Sequence, residues 1–267
     1  MLYKLGRRPR ARNHWFPHYS AILAGAVRPF VPPSVDYTAD LPADLGMMLN
    51  DRYGDCAEAG WYHAEQVFTA NAQGAIVTAP DPIVQQFYSE VTGFNPNAPL
   101  VDGENPTDQG TALQDLLAYL VKTGAPMADG TRRKILGAYE VDPRNTADLN
   151  QATYEGGVLY LGFNVPQYLM DGLTAPGSVW DMNPAGNSAI VGGHCVTSAK
   201  FDAKGNRGII TWGSDDYTAT PAFFAQYFDE AYVVVTQDWV EKTGKTPGGL
   251  SLDEMQSQMA AAFKAAA

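Results

Sequence analysis

Apolar residues in the first half of the chain recur with helical spacing. Over residues 56–72 they are three and four positions apart, on one face, which predicts an amphipathic helix with Asp55 as its N-cap. Two more helices are predicted over residues 81–92 and 111–122, because a glycine closes each run of helix formers. The first half of the chain is therefore predicted to be helical.

From residue 134 onward the apolar runs become short and rich in β-branched residues, which is typical of strands. The predicted elements are strands over 134–142 and 157–165, a helix over 145–156 capped by Thr146, a hairpin over 192–213, a helix and strand over 221–240, and a terminal helix over 251–267 with a capping box of Ser251 and Glu254. Helices followed by antiparallel strands predict an α+β fold.

The prolines within residues 28–46 predict an extended segment lying on a surface. The N-terminal residues 1–44 as a whole show little periodicity. Lys4 and four arginines within the first twelve residues make this segment a basic arm. It is either a solvated tail or a docking segment for an acidic surface, which includes a neighbouring copy of the chain. A third alternative is a removable pro-segment, cut near Asp44 or Leu45. The predicted organisation is the arm, a main domain over 45–240 and a helical extension over 241–267.

The composition sets limits on function. With 45% hydrophobic and 18% charged residues, the 267-residue chain can form an ordinary globular core. Its net charge of -11 disfavours nucleic-acid binding by the body. We find no signal peptide and no transmembrane segment, so membrane partners are not predicted and the compartment stays unassigned. Two cysteines, Cys56 and Cys195, cannot form a four-cysteine zinc site, and no metal or organic cofactor is predicted.

Cys56 is predicted at the start of a helix, where unpaired N–H groups and the helix dipole favour a thiolate. A buried apolar role is the alternative for this cysteine. His194 opens a predicted strand after two glycines, and a histidine near a thiol can take its proton. Because side chains alternate along a strand, His194 and Cys195 face opposite sides, which disfavours both a metal site and a Cys56–Cys195 disulfide. His63 is interpreted as a packed or surface residue.

The order of these motifs resembles that of the papain-like cysteine peptidases. The sequence NDRYGDC at 50–56 is similar to that family's Gln-x-x-x-Gly-Ser-Cys, GGHCVTSAKFDAKG at 192–205 is similar to its catalytic-histidine strand, and GIITWG at 208–213 is similar to its Asn-Ser-Trp-Gly strand. The resemblance covers residues 45–235. It implies a helical N-terminal half packed against an antiparallel, barrel-like C-terminal half, with Cys56 as nucleophile, His194 as base and Asn50 as a donor to the oxyanion.

Two departures from the family pattern affect the site. Ala57 follows the cysteine where the family has an aromatic residue, and Ile210 stands where the family has the asparagine that orients the histidine. Thr211 can replace that asparagine after a one-residue shift, and Ser214 or Asp215 can do so from the following loop. The acidic pair Asp229 and Glu230, farther along the chain, is interpreted as solvated surface charge.

Three functions follow from the resemblance. The first is a papain-like peptidase or amide hydrolase that uses the Cys56–His194 pair on a peptide or protein substrate. The second is a weakened or inactive papain-like fold that serves as a structural or interaction protein in a larger assembly, such as a phage or virus particle. In that case the basic arm would bind a protein partner or another copy. The third is a transferase or amidase on the same scaffold, since a thiol acyl-enzyme can also acylate amines.

Overall fold

The computed structural model describes residues 3–10, 16–20, 30–240, 244–246, 251, 253–254 and 256–257. Within residues 30–240 the chain forms six α-helices. They are α1 (Cys56–Gln73), α2 (Asp81–Thr92), α3 (Leu113–Lys122), α4 (Thr146–Gly156), α5 (Gln167–Gly172) and α6 (Pro221–Tyr227).

The strands follow one another mainly in the second half of the chain. They are β1 (Val35–Asp36), β2 (Ala125–Pro126), β3 (Arg132–Arg133), β4 (Gly137–Glu140), β5 (Leu159–Pro166), β6 (Val179–Trp180), β7 (Ile190–Phe201), β8 (Arg207–Thr211), β9 (Ser214–Ala219) and β10 (Phe228–Val235). Eight of them form one sheet in the order β4-β10-β5-β7-β8-β9-β6, with β1 paired to β7. All these pairings are antiparallel except that of β6 with β9. The predicted α+β class is confirmed.

Helix α1 is buried around nearly its whole circumference, whereas the sequence predicts one apolar face. One side packs on β7 and the other meets α2 and α3, so polar residues of this helix are buried too. Gly60 allows the close approach to the sheet, because an added Cβ would lie 3.4 Å from both Cys195 Sγ and the Tyr160 ring. Asp55 precedes the helix as predicted, but its side chain makes no capping hydrogen bond.

Two cores lie on the two faces of the sheet. One packs α1, α2 and α3 against one face, and it includes Cys56, Cys195 and Ile210. The other covers the opposite face with aromatic residues, among them Phe163 and Trp212. Successive residues of β7 and β8 therefore alternate between the two cores. This alternation decides which side chains reach His194.

Two predicted helix starts differ from the structure. Helix α3 begins at Leu113 rather than at residue 111, because the backbone of Thr111 bonds to the N-terminal arm instead of entering the helix. Helix α4 is capped by Asn145 and not by Thr146, since the Asn145 side chain accepts the Asp148 N–H.

The described part of the terminal extension forms the predicted capping box. Ser251 Oγ accepts the Glu254 N–H at 3.2 Å, and the Glu254 carboxylate accepts the Ser251 N–H at 2.7 Å. The remainder of the predicted helix, 258–267, lies outside the described residues. Of the helices in the described part of the chain, none has the length and apolar character needed to cross a membrane.

Candidate active site

Cys56 is the first residue of α1 and is buried against β7. Its sulfur accepts the backbone N–H of Cys195 at 3.3 Å. Burial raises the pKa of the Cys56 thiol to about 12, although the backbone N–H groups of Cys195 and Gly6 act in the opposite direction. In this arrangement the thiol is protonated and neutral.

His194 lies on β7, next to the residue whose N–H contacts the Cys56 sulfur. Its Nε2 lies 2.8 Å from the Thr211 hydroxyl, and its ring stacks on Trp212 with centroids 4.8 Å apart. Nδ1 is buried and has no hydrogen-bond partner among the described residues. Burial, together with the positive charge of Arg7, lowers the pKa of His194 to about 3. The imidazole is therefore neutral. Its Nε2 contacts the Thr211 hydroxyl, while its Nδ1 makes no hydrogen bond to the described residues.

The alternation of β8 explains why Thr211 contacts the histidine. Ile210 points into the core beneath α1, on the sheet face opposite to His194. Thr211, one residue on, points to the face where the imidazole lies. Ser214 uses its hydroxyl to accept the Asp216 N–H, and Asp215 pairs with Lys200 at 3.0 Å. Of the three candidate orienting residues, the structure brings only Thr211 into hydrogen-bonding contact with His194.

Asn50 is 2% exposed and lies just before the turn that leads into α1. Its Nδ2 is 3.4 Å from Asp55 Oδ1 and 3.5 Å from the carbonyl oxygen of Lys4. The amide therefore faces a backbone carbonyl of the N-terminal arm.

Cys195 points to the face of β7 opposite to that of His194, and both cysteines are free thiols. Within the described residues no group of histidine, cysteine and acidic side chains could hold a metal ion.

Residues 3–10 of the arm pass between the helical half and the strand half, so this part of the arm is not the solvated tail that was one of the two predictions for it. On the helical side the arm exchanges three backbone hydrogen bonds, and on the strand side one. They are Lys4 N–H to Asn50 O (3.1 Å), Thr111 N–H to Gly6 O (2.8 Å), Arg8 N–H to Thr111 O (2.9 Å) and Arg7 N–H to Gly193 O (2.9 Å). Tyr3 then stacks on Trp212 at 4.6 Å. The arm therefore covers Cys56, Asn50 and the Trp212 side of His194.

The close approach of the arm depends on glycine. A Cβ at Gly6 would lie 1.8 Å from Gly54 O, and one at Gly110 would lie 2.0 Å from Gly6 O. Such contacts are impossible, so only glycine backbone fits at this crossing. Sequence reasoning missed the crossing because three glycines far apart in the chain give no local signal.

Glu230 is not the solvated surface charge that was predicted, whereas its neighbour Asp229 is exposed as predicted. Glu230 is 3% exposed and bonds to the guanidinium of Arg7, while the exposed Asp229 pairs with the same guanidinium at 2.8 Å. His63 is packed as predicted and bonds to Gln66 at 2.9 Å. Another buried carboxyl, Glu58, accepts the Thr111 hydroxyl at 2.7 Å, and burial raises its pKa to about 8.

No family model and no curated protein matches the sequence. Many solved structures match the fold. Xylellain, a cysteine protease from Xylella fastidiosa, matches with a TM-score of 0.62 and 16% identity, over 88% of this chain and 96% of that one. A procathepsin B from Trypanosoma congolense matches with a TM-score of 0.60 and 11% identity, over 88% and 87% of the two chains. The fold is papain-like. A digestive procathepsin L from the Tenebrio molitor larval midgut also has it, with a TM-score of 0.58 and 11% identity over 86% of this chain and 76% of that one.

The papain-like fold of this chain carries the candidate residues on separate elements. Cys56 begins α1, Asn50 precedes it, His194 is on β7 and Thr211 ends β8. The arm fills the space that these elements surround. The thiol, the neutral imidazole and the amide donor thus lie on elements that the arm contacts or on residues beside them.

Proposed function

We propose that the chain is a cysteine hydrolase of peptides or other amides. Cys56 is the nucleophile, His194 the general base and acid, Asn50 a donor to the oxyanion, and Thr211 the residue that orients His194. This proposal rests on the contact between the Cys195 N–H and the Cys56 sulfur. The contact holds the thiol against the residue that follows His194, and Nδ1 of that histidine has no hydrogen-bond partner among the described residues.

The proposed reaction has two halves. His194 takes the thiol proton at Nδ1, the Cys56 sulfur bonds to the carbonyl carbon, and the carbonyl electron pair moves to oxygen. Asn50 Nδ2 and the Cys56 N–H stabilise this oxyanion. The tetrahedral intermediate then collapses to a thioester, while His194 gives its proton to the leaving amine. Water then takes the place of the amine: His194 removes a proton from it, and its oxygen attacks the thioester carbon. The second tetrahedral intermediate releases the carboxylic acid, and the proton on His194 returns to the Cys56 sulfur.

We further propose that residues 3–10 keep this site inactive until they leave the cleft. With the arm in place both groups are buried and neutral, which opposes a thiolate–imidazolium pair. Water that enters after release would lower the cost of charging them. Leu45, at the cleavage point predicted for a pro-segment, is buried and donates its N–H to Gly213. We therefore propose that the arm leaves the cleft without cleavage of the chain at Leu45.

The test is the rate at which Cys56 is alkylated, measured against pH by peptide mass mapping. Gly6→Ala is the key variant, because its Cβ collides with Gly54 and expels the arm from the full-length chain. We expect slow labelling of the wild type and fast labelling of Gly6→Ala, well below the usual thiol pKa of about 8.5. Adding His194→Ala should abolish the gain, and a screen of fluorogenic amides should then find a substrate.

Gly172→Ala is the matched control, since no atom lies within 4 Å of its added Cβ. It should label as slowly as the wild type. If Gly6→Ala reacts only at alkaline pH, with or without His194, the thiol is not activated and the hydrolase proposal is wrong. The structural or interaction role would then be the function to test, starting with a sizing column.

A further inference from the structure

Arg207 is a buried arginine that no carboxylate neutralises within the described part of the chain. It begins β8, at the end opposite to Thr211, and is 2% exposed. Its Nη1 donates to Thr153 Oγ1 at 3.1 Å, and its Nη2 donates to Asn150 Oδ1 at 2.5 Å. Both acceptors are neutral. Burial lowers the pKa of Arg207 to about 9, which still leaves the side chain charged at neutral pH.

The Arg207 guanidinium has hydrogen-bonding capacity left over. A guanidinium carries five N–H groups, and the described residues supply acceptors for two of them. Its central carbon lies 5.6 Å from the ring centroid of Phe201 and 5.7 Å from that of Phe224. These rings favour a cation, but they do not neutralise its charge. A buried charge in such surroundings is costly unless an anion pairs with it.

A cavity of about 40 Å³ opens beside Arg207. A second arginine, Arg144, also lines it, and no acidic side chain of the described residues does. The rest of the lining is Pro143, Thr146, Leu149, Gly205, Pro221, Phe224 and Ala225. Since a water molecule needs roughly 10–15 Å³ of such volume, the cavity has room for about three water-sized groups. This is comparable to the size of a phosphate group.

Helix α4 begins at the same cavity. Thr146 lines the cavity and is the first residue of this 11-residue helix. The N–H groups of a first helical turn have no partners within the helix and carry a partial positive charge. The side chain of Asn145 accepts only one of them, the N–H of Asp148 at 3.1 Å. The helix start therefore adds to the positive potential that the two arginines create.

The cavity adjoins a wider cleft of about 540 Å³, because Thr146 and Gly205 line both. Lys204 brings a further cation to this cleft. Asp202 is the acidic residue in its lining, and the Asp202 carboxylate accepts three hydrogen bonds within its own turn. The cleft is large enough for an organic group attached to a phosphate in the cavity.

We propose that the cavity binds a phosphate group, with Arg207 as the buried ligand and Arg144 and the start of α4 completing the site. Phosphate is favoured over a carboxylate, since two arginines and a helix N-terminus together match a divalent anion better than a monovalent one. The planar fork of Arg207 can donate to two phosphate oxygens. The group belongs either to inorganic phosphate or to a phosphomonoester whose organic part lies in the wider cleft.

Isothermal titration calorimetry of the full-length chain with sodium phosphate tests this site, with sodium chloride added to keep the ionic strength constant. We expect one phosphate to bind per chain. Arg207→Met keeps a long side chain without the charge and should abolish binding, and Arg144→Gln should weaken it about three- to tenfold. Arg52→Gln is the matched control, because it removes the same charge from an exposed side chain outside the cavity and should bind like the wild type.

Phenyl phosphate distinguishes the two sources of the phosphate group. Binding at least about tenfold tighter than that of inorganic phosphate would assign the site to a phosphomonoester, whereas equal or weaker binding would assign it to the free ion. No binding of either ligand up to about 10 mM would overturn the proposal. An equal loss in Arg144→Gln and Arg52→Gln, or no loss in Arg144→Gln, would overturn it too. Arg144 is exposed, so this comparison holds even if Arg207→Met does not fold.

Discussion

Thr211 and His194 are joined by a hydrogen bond of 2.8 Å between the hydroxyl and Nε2. Thr211 is adjacent to the residue that occupies the family's asparagine position, and it contacts the ring because Ile210 faces the other side of the sheet. A hydroxyl can both donate and accept, so it can hold the imidazole when neutral and when protonated. In the proposed reaction this contact would let Thr211 position the imidazole.

In the Gly6→Ala background we expect Thr211→Val to lower kcat/KM by about ten- to a hundredfold, because a buried ring nitrogen loses its partner. Thr211→Ser keeps the hydroxyl and should restore most of the rate. The measurement is the pH profile of kcat/KM, in which Thr211→Val should also shift the limb that reports His194. An equal loss in the serine and valine variants would indicate a packing effect instead.

Asn50→Ala should lower kcat by about 10²–10³-fold if Nδ2 donates to the oxyanion. Asn50→Gln keeps an amide and should lose less. Alkylation of Cys56 by iodoacetamide forms no oxyanion, so its rate should fall far less than hydrolysis does. Parallel losses in both reactions would mean that Asn50 acts only through the fold, by way of its contact with Asp55.

Two arginines of the arm form ion pairs of different strength. Arg7 pairs with buried Glu230, whereas Arg10 pairs with Glu140 and is about half exposed. Because exposed pairs contribute about 0–1 kcal/mol, Arg10→Gln should raise the alkylation rate of Cys56 less than about fivefold. Arg7→Gln leaves a buried carboxylate without its counter-ion and should raise that rate at least about tenfold. Equal rates in the two variants would show that the pairing of Arg7 with Glu230 does not hold the arm.

His63 should make the free energy of unfolding depend on pH in the acid range. Burial lowers the pKa of His63 to about 4, so the unfolded chain binds the proton more readily than the folded one. Its contribution is present above pH 6.5 and is lost as the pH falls toward 4. It amounts to roughly 3 kcal/mol of unfolding free energy at most.

Urea denaturation at several pH values checks this expectation. In His63→Gln the fall in unfolding free energy between pH 6.5 and pH 4 should be shallower than in the wild type. It should not vanish, because the pKa of His194 is lowered as well. His18→Gln, at an exposed position, should follow the wild type. Identical slopes in all three proteins would contradict the buried neutral state of His63.

The helices and the hairpin were predictable because their signals are local. Helix α1 begins at Cys56 and α2 ends before Gly93, as the sequence indicates. The hairpin of β7 and β8 was also predicted from short-range patterns. At the start of α3 the prediction was wrong because a distant segment had intervened. Thr111 was assigned to α3, but its backbone bonds to the arm, more than a hundred residues earlier in the chain.

The sequence by itself determined the element types, the α+β class and the candidate residues Cys56 and His194, because periodicity, caps and short motifs depend on near neighbours. Only the tertiary structure decided that Thr211 contacts the imidazole and that the arm fills the cleft. The same holds for Arg7 and Glu230, which are 223 positions apart. Strand register and glycine-to-glycine contacts bring such residues together, and these depend on how completed elements pack.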